Sequence, residues 1–339
     1  MKMKKNMKKV ILVLTSIVLV ILSLTACGKT PGTPSPGSDQ SGEYDQPEIQ
    51  SYNIGICQLV QHSALDAATK GFKDALTAKL GDKVTFDEQN ANGEPDVCAT
   101  ICNQFVSSKV DLIMANATAA LQAAQTSTNK IPILGTSITD YGTALGIDNW
   151  TGKTGKNISG TSDLAPLDQQ AAIINEIFPD AKKVGILYCS AEPNSKYQDN
   201  VITEYLVDMG YDVKSYTFSD SNDLQTIAKT AVSESDVIYL PTDNTVASNT
   251  EIIKNISLPA KVPVIAGEEG ACKDCGVATL SISYYDLGYT TGEMAYEILV
   301  NGADPATMEI QYAPKFTKKY DPDICNALGI TLPDEYESL

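Results

Sequence analysis

From Tyr52 onward, short β-branched or apolar runs alternate with longer stretches in which apolar residues recur every three or four positions. That is the signature of buried strands alternating with amphipathic helices. Strands are expected at 52–57, 84–89, 111–115 and 131–134, with helices at 64–80 (Ser63 as N-cap), 97–107 and 119–127. The same succession returns, with strands at 183–188, 213–218, 237–240 and 262–266 and helices at 197–209, 224–232 and 247–256. The two runs also match in detail. Asn53-Ile-Gly-Ile aligns with Lys183-Val-Gly-Ile, Asp111-Leu-Ile with Asp236-Val-Ile, and Ile131-Pro-Ile-Leu with Val262-Pro-Val-Ile, at offsets of 130, 125 and 131. A common order at a nearly common offset predicts a duplicated α/β architecture: two similar Rossmann-like lobes with parallel sheets joined by crossover strands. The expected division is 51–160 plus about 286–305 for lobe 1, and 161–285 plus about 306–339 for lobe 2.

The first 50 residues follow another pattern. Lys2, Lys4, Lys5, Lys8 and Lys9 precede an apolar run over 10–24, short for a bilayer span of ~20 residues and suited to a signal-peptide core. Leu24-Thr25-Ala26-Cys27 looks like a bacterial lipoprotein cleavage box, so 1–26 is expected to be removed and Cys27 to take the lipid. Residues 27–50, rich in Pro, Gly, Ser and Asp, read as a flexible tether. The body is therefore expected outside the cell, anchored to the membrane through Cys27.

Composition narrows the chemistry. Among 339 residues there are 25 lysines, no arginine and 42 acids, for a formal charge of −17. Loss of 1–26 removes five lysines and no acid, taking the charge to −22. Such a surface repels phosphate backbones and excludes nucleic acid as a partner. Without arginine, an anionic group cannot be held by a guanidinium fork. His62 is the one histidine, which all but closes Ser-His-Asp, Cys-His and multi-histidine metal chemistry. Beyond Cys27 stand seven cysteines, an odd number. Cys98/Cys102 and Cys272/Cys275 have spacings compatible with a four-thiolate zinc site, but the pairs fall in different halves. Buried thiols are the preferred reading, with a local Cys272–Cys275 bridge left open as an option, and no metal or other cofactor is expected.

In open parallel sheets ligands bind beyond the carboxyl ends of the strands. Applied to both lobes, this rule selects Gln58, His62, Thr118, Thr136, Ser137 and Asp140 from the first. From the second it selects Ser190, Glu192, Asn194, Ser195, Thr242, Asp243, Asn244, Glu268 and Glu269. The set is rich in hydroxyls, amides and carboxylates and contains no lysine, which suits a small zwitterion. Asp243 is the first choice for a ligand ammonium, with Thr118 and Ser195 at helix starts for its carboxylate. The same residue types also favour N-caps and turns. Tyr284, Tyr285 and Trp150 lie near presumed lobe crossings, where an aromatic could stack on a ligand or pack in a core. No phosphate loop or nucleophile elbow occurs.

These residues resemble a known family. Gly55-Ile-Cys-Gln58, His62-Ser-Ala-Leu-Asp66 and Gly71-Phe-Lys-Asp74 look like the opening of tryptophan/tyrosine-type ABC transporter substrate-binding lipoproteins. Glu192-Pro-Asn-Ser195, Pro241-Thr-Asp-Asn244 and Tyr284-Tyr-Asp-Leu-Gly288 continue the similarity, which spans about 52–335. The resemblance implies a type I periplasmic-binding-protein fold, an aromatic L-amino acid as ligand, and an ABC permease with its ATPase as partners. It also implies ligand contacts from Gln58, Thr118, Glu192, Asn194, Ser195, Asp243 and Asn244; the protein is expected to be a monomer and not an enzyme. Ser63, Cys189 and Tyr141 depart from the family's Pro, Asn and Pro at those places, two of them beside the presumed cleft. Two alternatives remain open: a sugar or nucleoside sensor lipoprotein, and an extracellular hydrolase using Glu192 or Glu268 with Asp243.

Overall fold

Strand–helix alternation builds two sheets of the same winding in the computed structural model, which describes residues 50–339. The expected signal peptide, Cys27 and all but the last residue of the tether lie outside the described residues. The first sheet contains β1 (Tyr52–Gln58), β2 (Val84–Asn90), β3 (Leu112–Asn116), β4 (Ile133–Ile138) and β5 (Ile158–Ser162), parallel in the order β2-β1-β3-β4-β5. Its helices are α1 (Ser63–Leu80), α2 (Pro95–Ser108), α3 (Thr118–Ser127) and the short α4 (Tyr141–Leu145). After α5 (Leu167–Ile177), the second sheet contains β6 (Lys183–Cys189), β7 (Asp212–Phe218), β8 (Val237–Leu240), β9 (Val264–Ala266) and β10 (Ala278–Ser281). These stand in the matching order β7-β6-β8-β9-β10. Its helices are α6 (Pro193–Asp208), α7 (Ser221–Glu234), α8 (Asn244–Ala247), α9 (Thr250–Ala260) and α10 (Glu269–Cys275).

The repeated Asp-x-Ile has a common physical role. Asp111 accepts the Asn53 backbone N–H at 2.7 Å, and Asp236 accepts those of Lys182 and Lys183 at 2.8 and 2.9 Å. Each carboxylate therefore pins the start of the central strand of its sheet to the neighbouring strand.

The chain crosses between the lobes three times. It leaves the first sheet after β5 and returns after β10 as α11 (Tyr284–Leu299). It then adds β11 (Gln311–Tyr312) to β5 and crosses again to β12 (Thr317–Tyr320), antiparallel to β10. The helix α12 (Pro322–Leu328) and β13 (Glu337–Ser338) finish the second lobe. Helix α11 lies closely along α1. A Cβ at Gly288 would stand 1.9 Å from the Ala68 carbonyl oxygen, and one at Gly71 would stand 2.1 Å from that of Tyr285. Only glycine fits at that crossing.

Several elements differ from expectation. Strand β5, Ile-Ser-Gly-Thr-Ser, was not expected because its small polar residues do not look like a strand, yet all five are buried. The helix expected over 247–256 is two helices, because Asp243 caps a single turn before Asn249 leaves helical geometry. Strand β9 begins at Val264 rather than 262, since Pro263 has no N–H to give the ladder. The Cys272–Cys275 bridge left open by the spacing is not formed. Both thiols sit on α10, where Cys275 Sγ donates to the Ala271 carbonyl at 3.2 Å, and all seven described cysteines are free and buried.

Candidate functional site

Beyond the strand tips the lobes meet over a narrow cavity of about 20 Å³, room for little more than one water between closely apposed walls. His62, Leu65, Ser137 and Thr139 line it from the first lobe. Asn194, Thr242, Asp243, Asn244, Ala247 and Glu268 line it from the second. Its floor is Asp163, on the first crossing, and Tyr284, where the second crossing enters α11. The lobes touch directly: His62 Nε2 lies 3.2 Å from Asn244 Oδ1, and α4 packs against α6.

Seven of the expected site residues thus come together: His62, Ser137, Asn194, Thr242, Asp243, Asn244 and Glu268. The others are used elsewhere. Gln58 turns toward α1, accepting from Thr69 at 2.7 Å and donating to Asp66 at 2.7 Å. Thr118 is buried as the first residue of α3 and does not reach the cavity. Asp140 caps α4 by accepting the Thr143 N–H at 2.7 Å. Glu192 caps α8: one oxygen takes Asn244 N and Nδ2, the other Thr245 N and Oγ1, all within 3.0 Å. Ser195 lies behind Asp243, to which its hydroxyl donates at 2.7 Å. Tyr285 points outward to Asp74, and it is the preceding tyrosine that faces the cavity. The Ser283 cap decides this, since it fixes where the helix starts and so which tyrosine turns inward. Trp150 stacks on Tyr141 in the first lobe.

Sequence reasoning missed Asp163, Thr139 and Leu65. Asp163 immediately follows β5, so the strand-end rule finds it once that strand is recognised.

Three carboxylates, Asp163, Asp243 and Glu268, are buried in the lining, and no lysine joins them. Burial pushes all three upward from the usual carboxylate range. Asp163 rises although the Tyr284 and Thr139 hydroxyls donate to it. Asp243 rises further, with Glu192 adding to the effect of burial. Glu268 reaches about 7, burial outweighing the backbone N–H groups of Ala271 and Gly270 that it caps. Burial lowers His62, so its imidazole is neutral. The tautomer follows from its neighbour. Asn244 Nδ2 donates to Glu192 at 2.7 Å, which turns the amide oxygen to His62. His62 Nε2 therefore carries the hydrogen, and Nδ1 is an acceptor without a partner. Ser137 Oγ is likewise buried and unpartnered, on a backbone held at φ +57° where β4 and β5 lose register.

The cavity is thus a cluster of acceptors with an apolar side formed by Leu65, Ala247 and the Tyr284 ring. It suits a small ligand bearing a cationic donor. Asp243 and Glu268 act as helix caps, so neither is a free nucleophile of the kind a glycoside hydrolase needs. Among the described residues no group of His, Cys, Asp and Glu is arranged to hold a metal.

The sequence from 53 to 338 matches the family model of ABC transporter substrate binding proteins. The chain belongs to that family. It is 37% identical over 295 residues to a tyrosine-binding protein of Clostridioides difficile, covering 86% of this chain and 84% of that one. Among solved structures, an ABC domain from Streptococcus pneumoniae in complex with L-Trp superposes with a TM-score of 0.81 at 31% identity, covering 85% of this chain and 99% of the other. A ligand-free, open substrate-binding protein with adhesive properties from Clostridium difficile gives 0.65 at 37% identity over the same shares. The fold is that of the type I periplasmic binding proteins. Members of this family bind substrates for ABC transporters outside the cytoplasm, and among the described residues no helix is long and apolar enough to cross a membrane.

Proposed function

We propose that this protein captures an aromatic L-amino acid for an ABC importer and delivers it to a permease driven by a cytoplasmic ATPase. The observation that carries the reading is the cavity itself. Both lobes wall it, three carboxylates and a neutral imidazole line it, and no cationic side chain reaches it. A ligand ammonium supplies the missing positive charge, and Leu65, Ala247 and Tyr284 offer an apolar face to a ring once the lobes part to admit it. The relatives whose names and titles record tyrosine and L-Trp support the same ligand class. Capture proceeds by closure of the lobes. The higher superposition on the L-Trp complex than on the more similar but ligand-free, open protein supports a closed conformation here. Only a ligand that contacts both lobes favours that conformation over an open one. The protein acts as a monomer, held at the outer face by lipid on Cys27 and the tether of 27–50.

Thermal unfolding in the presence of each of the twenty amino acids, nucleosides and simple sugars tests the reading. Tyrosine, tryptophan or phenylalanine is expected to raise Tm most, since a ligand at 100 times its Kd adds about 2.7 kcal/mol. Stabilisation by a sugar or nucleoside, with no response to any aromatic amino acid, would overturn it.

A further inference from the structure

The cavity contains three acids, and two of them are committed to helix starts. Asp243 accepts Cys189 N at 2.8 Å, Val246 N at 2.8 Å and the Ser195 hydroxyl at 2.7 Å, so it holds β6 and α8 together whether or not a ligand is present. Glu268 caps α10 through the Gly270 and Ala271 N–H groups. Asp163 caps no helix. Its two oxygens meet two hydroxyls, Thr139 Oγ1 at 3.0 Å and the Tyr284 phenol at 2.8 Å. A carboxylate accepts about four hydrogen bonds. Even with its own backbone N–H close by, Asp163 keeps acceptor capacity open, at 6% exposure, with no cationic side chain in the lining. A buried carboxylate without a counter-charge is costly, and an arriving cationic partner relieves that cost. Two residues of the same lining each carry a buried polar atom without a partner, His62 at Nδ1, an acceptor, and Ser137 at Oγ, which can accept as well as donate.

We infer that Asp163, and not Asp243, is the anchor for the ligand ammonium, with His62 Nδ1 and Ser137 Oγ completing its coordination. The inference rests on the amino-acid reading above and sharpens it. Its position adds a second role. Asp163 lies on the first crossing and Tyr284 at the end of the second, so their hydrogen bond ties two hinge strands together at the cavity floor. A ligand seated on Asp163 is held at the hinge, where it stays bound while the lobes close from either side.

The test measures binding of L-tyrosine and of desaminotyrosine, which keeps the phenol and carboxylate but lacks the amine, to the full-length protein and its Asp163→Asn variant. Loss of a buried partner for the ammonium should weaken L-tyrosine about 100-fold, while desaminotyrosine binds the variant as well as the parent or better. Binding of L-tyrosine to the variant within about threefold of the parent overturns the inference and leaves the amino-acid reading standing. A parent protein that binds no aromatic amino acid overturns the reading itself. Should Asp163→Asn fail to fold, a crystal structure of the parent with L-tyrosine decides. An amine nitrogen on the Asp163 carboxylate supports the assignment, and one on Asp243 or Glu268 away from Asp163 overturns it.

Discussion

On the second lobe, the cavity wall is a finished piece of structure. Asp243, Glu268 and the neighbouring Glu192 each take backbone N–H groups at a helix start, and Asn194 and Thr242 are bonded within the same lobe. On the first lobe and its crossing, Ser137 Oγ and His62 Nδ1 have no partner and Asp163 meets only rotatable hydroxyls. Equivalent strand tips of a duplicated fold have thus divided the work. One half uses its polar groups at the cavity internally, and the other leaves Ser137 Oγ and His62 Nδ1 without partners.

The strongest way to break this comparison is Asp243→Ala. Two backbone N–H groups and a hydroxyl would lose their acceptor in a buried place, at ~1–3 kcal/mol each. A loss of roughly 3–5 kcal/mol in chemical unfolding is expected; a change under about 1 kcal/mol would show that the second lobe is not the structural half.

Glu268→Gln sharpens it through pH. In the folded protein Glu268 holds its proton up to about 7, against 4.5 for a freely solvated glutamate, with Asp274 and Glu269 reinforcing burial. Folding thus binds a proton between those values, so the contribution to stability is complete below about 4.5 and is lost as pH rises through about 7. The ligand-free protein should lose on the order of 3 kcal/mol from this source over that interval. The glutamine variant should show a correspondingly flatter curve of Tm against pH.

Ser137→Gly should separate the two halves in one measurement. The substitution relieves left-handed backbone, raising stability by ~0.5–1 kcal/mol. It also deletes an unpartnered hydroxyl, and ligand affinity should fall about 5- to 10-fold. A smaller effect still is expected from Asp140→Ala, which removes a helix cap worth ~1 kcal/mol and leaves ligand affinity unchanged, because Asp140 stands outside the cavity.

Much of the architecture was legible because duplication leaves marks that physics maintains. Asp111 and Asp236 recur because each pins a strand start, and the apolar strands they serve are long enough to see. Strand β5 was hidden by its small residues, and Asp163 was hidden with it. The candidate site was half legible for a related reason. A strand-end residue can turn toward the cleft, as Ser137 does, or toward its own helix, as Gln58 does, and sequence does not record which. Thr118, Glu192 and Ser195 illustrate the same limit, since residues that make good ligand contacts also make good structural ones. For Tyr284 and Tyr285 the difference is one step of helical phase, set by a serine cap.

The absence of any cation around Asp163, Asp243 and Glu268 bears on how the protein would signal. If the lobes close as proposed, shutting without cargo strips water from acids that gain no counter-charge in exchange, so a vacant molecule would be driven to reopen or to take up protons. A transporter that answers only to the shut form would then seldom be triggered by an empty carrier, and fuel would not be spent on nothing.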